Sequence, residues 1–395
     1  MVRVTGFGST VWRKAKANTL VFVAIAGFAL VGTLVLQFSN AATDGVALEA
    51  ESGNLAFAQT QNDPDASNNS YVLFSPTPEP TMSPMPNQIP LDQLPKGITG
   101  SGEALIRSGA PAGAPTATWA SAFRIECGFS HMNYDDPIVY PGQQGAAHLH
   151  TFFGNTAINY TTTYDSLRNT GNSTCSGGTL NRSAYWVPTI MDGSTPIAPN
   201  RITTYYKSGW PSVPFATLQN IPTGLRMITG NAQASSNQNP PGRVFLEWFC
   251  VSGSSGPLPH IPTCNAGDEV QLIIGFPQCW DGVNLDSPNH KSHMAMPNSW
   301  SGSGCPSSHP VPIPHIEFLI FWRVPSGTSA NWRLSSDMYS TSIPGGYSAH
   351  ADYMEGWDPT IRDLFTQQCL VAGKDCQVRW LGDGRALVDP AGIGQ

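Results

Sequence analysis

Charged side chains are scarce in this chain: Asp, Glu, Lys and Arg together make up 12% of its 395 residues. A bundle of amphipathic helices usually carries more, so the composition suits a helical bundle poorly. A basic surplus is missing too. The formal net charge is −7; with Arg3, Arg13, Lys14 and Lys16 of the first nineteen residues set aside, 16 basic groups face 27 acidic ones, a balance of −11. That balance argues against nucleic acid as a partner. No C-x-x-C pair occurs among the cysteines, which removes zinc ribbons and dithiol redox motifs, and no repeat of solenoid or propeller length is present.

Glycine (39) and proline (34) are abundant instead, the composition of a turn-rich β protein. The runs "RVFLEWFC" (243–250), "EVQLIIGF" (269–276) and "HIEFLIFWR" (315–323) are β-branched and aromatic, bounded by Gly, Pro, Asn and Ser clusters, and read as strands. Two of them are apolar on both faces and are expected at the centre of a sheet. One helix is expected, in "DPTIRDLFTQQCL": Asp358 caps it, Pro359 suits the first helical position, and Ile361, Leu364, Phe365 and Cys369 share a face. The fold class expected is mainly β, a β-sandwich or jelly-roll-like single domain with long loops, few short helices and disulfide staples. The eight cysteines are read as sequential pairs, Cys127 with Cys175, Cys250 with Cys264, Cys279 with Cys305 and Cys369 with Cys376. That is one of about 105 possible connectivities.

Export is implied by Leu20 to Phe38, an uncharged apolar run behind Arg13, Lys14 and Lys16. At about 1.5 Å per residue it spans about 28 Å, near the hydrocarbon thickness of a bilayer. Residues 1–19 are then a cytoplasmic basic segment and 20–38 a transmembrane anchor or a signal sequence. The rest is cell-surface, membrane-anchored through this helix, or secreted if residues 1–41 are removed at "SNAA". In residues 45–74, "LEAESG" and "ASNNSYVLF" resemble the opening strands of family 6 and 35 carbohydrate-binding modules, without the rest of such a module. A short hairpin acting as a spacer is expected there. The prolines of "SPTPEPTMSPMPNQIP" favour an extended connection, so residues 75–118 read as linker and 119–395 as the main domain.

Chemistry concentrates in four short runs. "AAHLHTFFG" puts His148 and His150 two apart on a strand, hence on one face, the arrangement of a strand-borne metal site or a polar groove. Gly142 with the two histidines matches the start of a cupin metal motif, but Gly154 and Asn155 stand where its acidic ligand belongs. "HMNYDDPIVYPG" offers Asp136, which in an Asp-Pro step is also a common turn starter. "CWDGVNLDSPNHKSHM" brings Trp280, Asp281, Lys291 and His293 on a loop, and "GGYSAHADYMEGWD" adds His350, Asp352 and Trp357.

The strings "DPIVYPG…HLHTFFGN", "GLRMITGN", "FPQCWDGVNLDSPNHKSHMAMP", "CPSSHPVPIPHIEF" and "GYSAHADYMEGW" resemble, in order, the motifs of a family of secreted fungal and bacterial proteins known only as a domain of unknown function. Its fungal members are often fused to WSC or carbohydrate-binding modules. Asn289 stands where that family usually has Asp, and Met132 and Asn133 also depart from it. The resemblance implies export and domain limits but no reaction.

From the residues, we expect an extracellular protein acting on polysaccharide or cell-wall glycan. As an enzyme, a hydrolase, a lyase or a metal-dependent one, it would use His148, His150, His293, His350, Asp281 and Asp352 as catalytic candidates. Trp280, Lys291, Trp357 and Asp136 would bind substrate, and His148, His150 and His293 would hold a divalent metal. The alternative is a non-catalytic wall-binding protein.

Overall fold

A computed structural model describes residues 59–62, 70–73 and 88–393, apart from 113, 118, 119, 242 and 300–303. The apolar segment 20–38 and the "SNAA" site lie outside the described residues. Among those described, no helix is long and apolar enough to cross a membrane. The chain divides into two compact units, Met1–Pro80 and Thr81–Gln395. In the first, Gln59–Asn62 pairs antiparallel with Ser70–Leu73, a two-stranded hairpin within the segment that resembles a sugar module.

The larger unit is mainly β. Eleven strands form its two main sheets: β1 (Ala122–Cys127), β2 (Phe129–Asn133), β3 (His150–Gly154), β4 (Ala184–Pro188), β5 (Arg201–Lys207), β6 (Arg226–Gly230), β7 (Leu246–Cys250), β8 (Glu269–Gly275), β9 (His315–Arg323), β10 (His350–Met354) and β11 (Asp375–Val378). One sheet has the order β7-β8-β9-β5-β1-β11 and the other β6-β10-β4-β3-β2. Only β11, parallel to β1, breaks the antiparallel pattern of these sheets.

The six-stranded sheet alternates. On β5, Ile202, Thr204 and Tyr206 are buried while Arg201, Thr203, Tyr205 and Lys207 are less so. Register lines up inward rows across the sheet, such as Ile125, Thr204, Phe318, Ile274 and Leu246. A period of two with one apolar face is what a sheet needs to cover a core and face water behind it. The wet face carries ion pairs instead, Arg124 with Asp375 at 2.7 Å and Lys207 with Glu317.

The inward faces of the two sheets meet. Tyr185 of β4 lies 5.5 Å, ring to ring, from Phe318 of β9, and its hydroxyl shares a 2.9 Å hydrogen bond with Tyr206 of β5. Among the described residues two short α-helices are built, α1 (Tyr164–Asn169) and α2 (Pro359–Phe365). In α2 the Asp358 carboxylate accepts from the amides of Thr360 and Ile361, as its cap position predicts, and the helix runs on as a π-turn, Thr366–Val371. The eight cysteines form the four sequential pairs and none is free.

The domain boundary needs correction. Residues from 88 onward belong to the compact unit and not to a linker: Ile98 donates to the Phe129 carbonyl, and Ile106–Ala112 pairs antiparallel with Asp383–Leu387. A strand whose partner lies at the far end of the chain leaves no local pattern to read.

Candidate active site

The five-stranded sheet differs from its partner because β3, β4 and β10 are buried along their whole length. Their inward residues, Phe153, Tyr185, Val187, Ala351 and Tyr353, join the main core. Their outward residues Phe152, Ala184, Trp186 and Met354 join Ile228 of β6 and Ile138, Ile158 and Leu167 of the covering segment in a second, smaller core. Register places Phe152, Trp186, Asp352 and Ile228 in one cross-strand row. His150 and His350 are two residues before Phe152 and Asp352, so they share this outer face one row along.

There three imidazoles converge. Ring centroids of His148 and His150 are 4.2 Å apart, His148 and His350 5.0 Å, and His150 and His350 5.9 Å. One ligating atom from each lies within 4.8 Å of the others, and the same holds for Asp136, His150 and Asp352. The backbone fixes two of the rings. His150 Nδ1 donates to the Asp135 carbonyl at 3.0 Å and His350 Nδ1 to the Ser348 carbonyl at 2.9 Å, since a carbonyl only accepts. Asp135 is itself clamped, its carboxylate accepting from Gly145, Tyr160 and the Asn133 amide. Asp136 Oδ1 accepts from the amides of Ile138 and Val139, so the Asp-Pro turn and the cluster use the same side chain.

Burial governs the charge here. It lowers His150 and His350 to about 4, and His350 further feels His150. His148 is pushed well below the ordinary imidazole range, by burial and then by its two neighbours. Burial raises Asp352 well above the carboxylate range, with Asp136 adding to it and Lys291 opposing. Four buried atoms of the cluster have no hydrogen-bond partner: His148 Nε2, His150 Nε2 and both carboxylate oxygens of Asp352.

A cleft of about 320 Å³, lined by none of the five cluster residues, reaches toward them through Gly230 and Lys291. Its wall includes Ile228, Gly230 and Lys291, together with Trp210, Arg243 and Met294. Lys291 Nζ donates to the Gly230 carbonyl at 2.6 Å, and Gly230 is the register partner of His350. At φ +78°, a Cβ on Gly230 would stand 2.4 Å from the Ala349 carbonyl oxygen and 2.8 Å from His350 Cα, so only glycine fits.

Four of the sequence candidates stand elsewhere. His293 is buried, but its Nδ1 bonds Ser287 Oγ at 2.9 Å and its Nε2 donates to the Arg226 carbonyl at 2.7 Å, leaving no lone pair for a metal or a proton. Arg226 is the end of β6 away from Gly230, about 13 Å along the strand. Asp281 closes its own turn, accepting from Val283 and Asn284. Trp280 Nε1 donates to the Asn284 carbonyl in the same turn. Trp357 is fully buried against Phe123 and Phe365 and donates to Tyr206 Oη at 2.9 Å, so it is core and not a sugar platform. The aromatic residue that does line the cleft, Trp210, carries no motif. With Arg243, whose guanidinium carbon is 5.5 Å from its ring centroid, it was not legible from spacing.

A disulfide-stapled β-sandwich with a buried histidine and carboxylate cluster on one sheet is the class of protein that these features define. By comparison with known proteins, a family model described as "Domain of unknown function (DUF1996)" matches residues 136–357, more than half of the chain, and the chain belongs to that family. The matched span runs from Asp136 to Trp357 and so contains all five cluster residues. No curated protein matches, and no solved structure does.

Proposed function

We propose that the protein is an extracellular enzyme acting on polysaccharide, with His148, His150, His350, Asp136 and Asp352 as its reaction centre and the Trp210 cleft as its substrate surface. The observation carrying this reading is the set of four buried, unpartnered polar atoms gathered from separate strands. Burying such atoms unmatched costs about 1–3 kcal/mol each, a penalty a fold tolerates where chemistry uses them. Their lone pairs can take up a proton or activate a water, the need shared by hydrolysis and elimination at a glycosidic bond. Four closed disulfides and the basic-then-apolar N-terminus support export, to a membrane-anchored or secreted position. The hairpin and the proline-rich segment, read as a spacer, support attachment at the cell surface under either reading of the site.

A second reading is favoured by one feature. Trp210, Asn231, Gln238 and Arg243 line a cleft at the side of the cluster, as suits sugar binding without turnover. The test is product release by the full chain from glucan, chitin and peptidoglycan. The enzyme reading expects release that is lost in a folded His148→Ala variant. Retention of glycan without product, weakened by Trp210→Ala and unaffected by His148→Ala, establishes the binding reading instead.

A further inference from the structure

We propose that His148, His150, His350 and Asp352 form a site for a single divalent transition cation of the zinc type. The inference rests on reading this cluster as the reaction centre, but its support is separate. The donor positions come in two strand pairs, His148 with His150 entering β3 and His350 with Asp352 on β10, each two residues apart and so on one face. Ligating atoms of His148, His150 and His350 lie within 4.8 Å of one another, and Asp352 joins them through His150, in a second group of the same span that also holds Asp136. Zinc bound at about 2.1 Å holds tetrahedral donors roughly 3.4 Å apart, a spacing that the three imidazoles, already within 4.8 Å, approach.

The tautomers are already chosen. With Nδ1 of His150 and of His350 donating to the carbonyls of Asp135 and Ser348, each Nε2 carries its lone pair inward. Backbone-anchored imidazoles of this kind are the usual outer support of a metal ligand. His148 Nε2, His150 Nε2 and both Asp352 oxygens are buried with no hydrogen-bond partner. One cation satisfies all of them at once.

Stoichiometry and identity follow from the donors. His150 has a single free nitrogen, so the groups His148–His150–His350 and Asp136–His150–Asp352 describe one ion and not two. Asp352 is the ligating carboxylate because neither of its oxygens is engaged, whereas Asp136 Oδ1 already holds two amides. The two carboxylates balance a divalent charge. Three imidazoles with one carboxylate suit zinc and its transition-metal neighbours, while calcium and magnesium prefer oxygen throughout. The one other grouping of this sort, Cys250, Cys264 and Asp268, offers no competing site among the described residues because its sulfurs are joined in a disulfide.

The test is zinc binding by the full chain, stripped with chelator and titrated with Zn²⁺ alone. One equivalent is expected. His150→Ala, His350→Ala and Asp352→Asn should each weaken binding beyond the roughly 10–100-fold typical of outer-shell changes. His293→Ala, with its ring outside the cluster, should bind zinc as the parent does. Should the fully buried substitutions fail to fold, His148→Ala, at a half-buried ring, and the visible spectrum of the Co²⁺-loaded parent decide the matter. A stripped parent that takes up no zinc overturns the site, as does uptake unchanged in His148→Ala and Asp352→Asn. Product release that persists in metal-free protein overturns the cation and leaves the enzyme reading standing. Zinc bound at one equivalent without turnover of any glycan does the reverse.

Discussion

The two sheets of the sandwich solve the same packing problem differently. The six-stranded sheet hides one face and leaves the other to water, where ion pairs and the Arg124 cation resting on the Tyr205 ring cover it. The three inner strands of the five-stranded sheet are buried on both faces, and their outer face mixes Phe152, Trp186 and Met354 with His150, His350 and Asp352, next to His148 and to Asp136 of the covering turn. A solvated face can be polar at little cost. A buried one cannot, so polar groups there mark the place where stability is given up.

Truncation should sharpen this contrast most. Phe318→Ala removes an inward side chain of the six-stranded sheet and Phe152→Ala an outward one of the five-stranded sheet; each should cost about 3–5 kcal/mol in denaturant unfolding. A Phe152→Ala cost below 1 kcal/mol would mean that the second face is not truly buried.

Acid should come next. His315 on the six-stranded sheet and His131, stacked on Phe152, are both lowered to about 4 by burial. Unfolded, each would take its proton near pH 6.5, so the stability each gives is complete above that pH and drains away as pH falls toward 4. The loss is on the order of 3 kcal/mol per group. His315→Gln should flatten this fall between pH 6.5 and 4, which unfolding midpoints across that range measure. An unchanged slope would show that the ring is reached by water.

Gly230→Ala should cost about 1–3 kcal/mol through its positive φ, and reduce both product release and zinc affinity by displacing His350. Asp352→Leu should act in the opposite direction. By replacing an unpartnered carboxyl with an apolar group of similar size, it should raise metal-free stability by about 1 kcal/mol while abolishing function, as thermal melts and activity assays would show. Smallest of all, Thr203→Ala on the wet face should stay within about 0.5 kcal/mol of the parent.

Legibility in the sequence followed the same division. Strands 246–250, 269–275 and 315–323 and the helix after Asp358 lie inside the runs read for them, because β-branched and aromatic composition between turn clusters and a capping residue are local signals. The two runs read as apolar on both faces are interior to their sheet but bury one face, with Gln271 and Ile273 less covered than Leu272 and Ile274. The strands that do bury both faces carry His150, Thr151, His350 and Asp352, residue types that disguise burial. Within the site, the H-x-H and H-x-D spacings could be read because two-residue steps fix a shared face. That His293 turns toward Arg226 and Trp357 into the core depends on tertiary partners far away in the chain, which spacing does not encode.

The five cluster residues lie in sequence between Ile106–Ala112 and Asp383–Leu387, so the pairing of these two strands closes the unit around them. A product broken off ahead of Asp383 would expose the raw edge of Ile106–Ala112, an invitation to pair with other chains. The pairing with Asp383–Leu387 thus shields an edge that would otherwise be open to other chains, although none of the five cluster residues belongs to either strand.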